Sequence, residues 1–65
     1  MIDEFARVLR EKIRTDMNNY TDDMANGNCQ SFDQYQKLCG VIHGLAIAEA
    51  YLLDLAKKVE EANDE

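Results

Sequence analysis

Apolar residues return at every third or fourth position from the start of the chain, through Ile2, Phe5, Leu9, Ile13, Met17, Tyr20 and Met24. Such a stripe has the period of one helix face, and it predicts a first helix over about residues 2–25. Val8 stands off the stripe, and its exposure implies a second contact. Asn26, Gly27 and Asn28 end the helix, since glycine and asparagine tolerate the left-handed backbone that terminates helices. A second helix is predicted over about residues 32–62. Ser31 with Gln34 has capping-box spacing, in which the Ser31 hydroxyl accepts from the Gln34 N–H and the Gln34 side chain returns to the Ser31 N–H. Asp33 adds a negative charge where the helix dipole favours one. Leu38, Leu45, Leu52 and Val59 then recur every seven residues. Val41, Ile42, Ala48, Leu55 and Ala56 widen them into a band.

The connection is short enough to lay the helices antiparallel and side by side. The fold class is therefore all-α: an antiparallel helical hairpin in a single domain, 1–65, with a frayed acidic tail. The register places Tyr20 near Leu38, Ile13 near Leu45 and Phe5 near Leu52, and the end of the second helix overhangs. This helix is apolar on more than one side, because Ile47 and Tyr51 project opposite the Leu38 and Leu45 ridge. Gly40, Gly44 and Ala48, spaced by four, form a row of small residues. Each glycine costs about 1 kcal/mol of helix propensity relative to alanine. Close approach of another helix offsets that cost; the alternative is that both glycines are merely tolerated. Gly40, Gly44, Ile47, Ala48, Tyr51 and Leu55 are the expected protein-interaction residues, and two hairpins closing into a four-helix bundle, or a larger oligomer, is the expected assembly.

Length sharpens this expectation. A chain of 65 residues makes one small domain whose core is marginal without disulfides, metal or self-association. The opening residues MIDEFARVLREKIR lack the apolar stretch of a secretory signal. No membrane span is expected either, because Val41–Leu53 contains His43 and Glu49 and falls short of the roughly 20 apolar residues a bilayer demands. The net charge of −6 opposes nucleic acid, which would have to be met by the Arg7, Arg10 and Arg14 row against the overall field. The plainer reading of that row is local pairing of Asp3 with Arg7, Arg7 with Glu11, and Arg10 with Glu11.

Candidate chemistry is sparse. Glu49 falls inside the apolar band with Arg7, Arg10 or Lys12 in reach, which suggests a structural salt bridge or a polar residue that fixes register. A catalytic role would require a second titratable partner and a cleft. Cys29 and Cys39 should lie farther apart than the roughly 7 Å between alpha carbons that a disulfide tolerates. Unpaired thiols agree with a reducing compartment, the cytoplasm. Cys39 and His43, four apart, would make half of a zinc site whose other half the chain lacks. No catalytic residue, cofactor or metal is expected, and an enzyme would have only Cys39, His43 and Glu49 to build from.

The segments FARVLREKIRTDMNN, CQSFDQYQKLCGVIHGLA and AEAYLLDLAKKVEEAN together resemble the small acidic two-helix reading frames of tailed bacteriophages, often carried among structural genes. The resemblance covers almost the whole chain through its helix pattern and caps. It implies a viral protein acting in the virion or in the cytoplasm of the infected bacterium, and it brings no functional residues with it. The expected function is a non-enzymatic phage structural or assembly protein that self-associates or docks onto a larger virion component, with capsid, portal or tail proteins as partners. The alternative is a small acidic inhibitor or adaptor that binds a host protein through its terminal and turn carboxylates.

Overall fold

The computed structural model describes residues 2–63, with side chains from Glu4 to Ala62. Helix α1 spans Ile2–Ala25 and helix α2 spans Phe32–Asn63, within a residue of the expected bounds. Asp64 and Glu65 of the expected tail, and the side chain of Asp3 expected to pair with Arg7, lie outside the described residues.

Both ends of the turn are hydrogen bonded as the local sequence requires. Gly27 adopts φ of 77°, the left-handed region where a side chain would be strained. Its N–H donates to the Met24 carbonyl at 3.2 Å, and the Asn28 N–H donates to the Asp23 carbonyl at 3.0 Å. This pair of bonds is a Schellman cap, which satisfies carbonyls that the end of α1 would leave open. At the start of α2 the Ser31 hydroxyl accepts from the Gln34 N–H at 3.1 Å. The reciprocal bond differs from the expected one, because Gln34 Oε1 accepts from the Gln30 N–H at 2.7 Å rather than from Ser31. The longer glutamine reaches one residue further back and still pairs a free donor ahead of the helix.

The two helices form a single layer measuring 53 × 16 × 11 Å. A layer of this thickness has almost no interior: among the described residues only Ile13 and Glu49 are buried, at 9% and 7% exposure. Met17, Tyr20 and Met24 of α1 and Leu38, Val41, Ile42, Leu45, Leu52 and Ala56 of α2 are half-buried along the seam. At the free end of the α1 stripe, Phe5 remains 66% exposed and Leu9 38%. A single partner helix shields only the centre of a stripe this wide. Phe5 does share a crevice with Leu52, as the register required, together with Ala6, Leu55, Ala56 and Val59.

By length and composition, Phe32–Ala62 is long and apolar enough to cross a membrane. The run Val41–Leu53 alone falls short of that length, and the apolar residues continue on both sides of it.

Candidate interaction surface

Two flanks of the hairpin, one on each side of the helix seam, differ sharply in chemistry. On the first flank α1 presents Arg7, Arg10 and Arg14 in a row, spaced three and four apart. Arg14 makes a bidentate contact with Glu49 of α2, Nε to Oε2 at 2.6 Å and an Nη to Oε1 at 2.9 Å. Arg10 Nε stands 3.6 Å from Oε2 of the same carboxylate. Sequence spacing had offered Arg7, Arg10 or Lys12 as partners, and Arg14, one turn closer to the hairpin turn, was missed. Its long side chain leans back over the preceding turn and reaches a carboxylate that the register sets beside Arg10. Arg7 instead pairs within its own helix, with Glu4 and with Glu11, the latter at 2.8 Å. Those two carboxylates, Glu4 before Glu11, hold the Arg7 guanidinium above its ordinary pKa. Every guanidinium in the row thus faces a carboxylate, and the charges on this flank are mutually satisfied.

The second flank is apolar. From α2 it carries Gly44, Ala48, Tyr51, Leu55 and Val59, which fall within one side of the helix at about 100° per residue. From α1 it carries Phe5, Val8 and Leu9, which with Glu4 and Lys12 line a shallow depression. Phe5 joins this depression to the crevice formed with Leu52, Leu55 and Val59. Tyr51 and Leu55 are 67% and 60% exposed. Such a contiguous run of exposed large apolar side chains exceeds the scattered ones that any soluble surface carries.

The six residues singled out from sequence lie mostly on this flank, all of them exposed: Gly40, Gly44, Ala48, Tyr51 and Leu55, with Ile47 turned toward the back of α2. A Cβ built at Gly40 or Gly44 would meet nothing within 4 Å. Helix α1 therefore does not make the close approach expected for the small-residue row. Any such approach has to come from another chain. Sequence reasoning missed the contribution of Phe5, Leu9 and Val59 by assigning them to the seam inside the hairpin. The available signal was that Phe5 and Leu9 sit on the same side of Ile13, at the edge of their stripe toward Val8.

The remaining candidates are dispersed. Glu49 is committed to the arginines, His43 is exposed, and Cys29 and Cys39 are half-buried free thiols. Cys39 lies beside Tyr35, whose phenol is pushed above its ordinary pKa first by its hydrogen bond with the Cys39 thiol and then by the repulsion between the two ionised groups. Phe32 stacks on Tyr35 with ring centroids 6.3 Å apart. Among the described residues, no three His, Cys, Asp or Glu side chains are grouped so as to hold a metal ion. No protein-family model matches the chain, and no curated protein or solved structure matches it.

Proposed function

We propose that this chain is a non-enzymatic assembly protein, a helical hairpin that self-associates through its apolar flank and in that form builds or joins a larger particle. The observation that carries the reading is surface area. The chain exposes 5229 Å², whereas a compact monomer of 7.4 kDa is expected to expose about 4,200 Å². The excess, about 1,000 Å², is close to the roughly 800 Å² that each partner buries in a protein interface of standard size. A second copy presents the same flank and so covers it without any other chemistry. The resemblance to small phage reading frames gives the reading its setting: a virion or assembly component, with capsid, portal or tail proteins as further partners.

Nucleic acid is a poor fit, because the arginine row is already engaged by Glu4, Glu11 and Glu49. A bilayer is also a poor fit, since inserting α2 would strip Glu49 of Arg14 and leave a carboxylate in hydrocarbon. The acidic inhibitor or adaptor remains the second reading, supported by the exposed Asp22, Asp23, Glu60 and Glu61. Capture of a single host protein that is released by high salt would favour it.

Light scattering over a wide concentration range, with helicity recorded on the same samples, tests the first reading. The expected result is a mass of two chains or more and loss of helicity on dilution. A helical monomer at every concentration would refute it.

A further inference from the structure

We propose that two copies join through their free-end halves, with the turns pointing outward, and not along the full length of the hairpin. This rests on the self-association reading and specifies its geometry. The apolar flank is not uniform along the molecule. Phe5, Val8 and Leu9 of α1 and Ala48, Tyr51, Leu55 and Val59 of α2 all belong to the half that holds the free ends. Toward the turn the same flank becomes polar. There Asp16, Asn19 and Asp23 follow in α1 at helical spacing, and Lys37 lies opposite on α2, where Asp23, Asn28, Gln34 and Lys37 line one crevice together with Cys29 and Leu38.

Two hairpins laid antiparallel over their whole length would set each apolar half against the other copy's Asp16, Asp23 and Lys37, taking those charges out of water against apolar side chains. Two hairpins laid parallel over their whole length would match apolar with apolar but would bring Asp16 and Asp23 of both copies together, in chains that each carry a net charge of −6. A two-fold axis through the patch itself avoids both costs. It pairs Tyr51, Leu55 and Phe5 of one copy with the same residues of the other, and leaves both turns in water.

Length separates the arrangements. The centre of the patch, between Ala48 and Val59, lies about 14 Å of helix from the end of α2 at Asn63, so two hairpins related by a two-fold axis there overlap by about 28 Å and form a rod of about 75 Å. Full overlap in either sense keeps the particle near the 53 Å of one hairpin. Light scattering and small-angle X-ray scattering on the same samples of the whole chain decide between them. The expected result is a mass of two chains with a maximum dimension of about 75 Å. A two-chain particle close to the hairpin's own length would overturn the arrangement while leaving self-association intact, and a monomer would overturn both.

Two variants provide a check that is independent of shape. Leu55 is 60% exposed in the hairpin, so Leu55→Asp acts chiefly on the contact between copies and is expected to reduce the mass from two chains to one. Lys37→Glu, outside the contact, is expected to leave the mass unchanged. Dissociation by Lys37→Glu together with resistance to Leu55→Asp would overturn the proposal.

Discussion

Replacing Arg14 by alanine removes both hydrogen bonds that the Glu49 carboxylate receives from its nearest partner, and leaves a 7% exposed charge facing Arg10 at 3.6 Å. Hydrogen bonds to a charged group each contribute about 1.5–3 kcal/mol, and a buried charge left unpaired forfeits its hydration as well. Two features reduce the cost: the Arg14 side chain is half exposed, and Arg10 can close part of the gap. The expected loss is therefore about 2 kcal/mol. Glu49→Leu acts on the same contact from the other side with a different outcome. Arg14 and Arg10 regain water, and a leucine continues the Leu45 and Leu52 band, so stability should stay within about 1 kcal/mol of the parent. Adding Arg14→Ala to Glu49→Leu should then cost less than about 0.5 kcal/mol, since the coupling has already gone. Urea unfolding followed by helicity, at one fixed protein concentration because association contributes, supplies the midpoints. If Arg14→Ala proved no more costly than Glu49→Leu, the carboxylate would not be held as described.

Gly44→Ala discriminates between the two readings of the small-residue row. With nothing within 4 Å of the added Cβ, it should stabilise an isolated hairpin by about 1 kcal/mol. If another chain packs on the row, thermal unfolding should instead show destabilisation that grows with protein concentration. Ser31→Ala removes the cap bond to Gln34 and should cost about 1 kcal/mol, and Gly27→Ala strains a left-handed position and should cost about 1–2 kcal/mol; both can be read from thermal midpoints. Cys39→Ala should lower the pKa of the Tyr35 phenol toward that of free tyrosine, observed by ring-carbon NMR against pH. The sign follows from the direction of the shift: a phenol raised in the folded chain favours the folded state below the ordinary tyrosine pKa, and that advantage fades as pH rises through the raised value.

The helices were legible because their ends are written in local chemistry. Asn26, Gly27 and Asn28 can close α1 by themselves, and Ser31 with Gln34 can open α2, whatever lies around them. The antiparallel pairing followed from the short turn. Identification of the Glu49 partner failed because spacing positions alpha carbons, whereas Arg14 reaches across by the length of its side chain. The surface was half legible for a related reason. Periodicity finds Ile47 and Tyr51 as outliers from the α2 band and Leu55 on its margin, but Phe5 and Leu9 lie within the α1 stripe and are recognised as uncovered only when the narrowness of the partner helix is known.

Only Asn26–Ser31 separates the helices, and so short a loop closes on a timescale of nanoseconds to microseconds at little entropic cost. A newly synthesised chain thus takes up its hairpin quickly, but with one buried apolar side chain among the described residues it has little to resist reopening. Proteases sample that open form, so the lifetime of a solitary chain is set by how soon its flank is covered. Under the proposed self-association, abundance becomes the clock: below a threshold number of copies the protein is degraded as fast as it is made, and above it the assembled form accumulates.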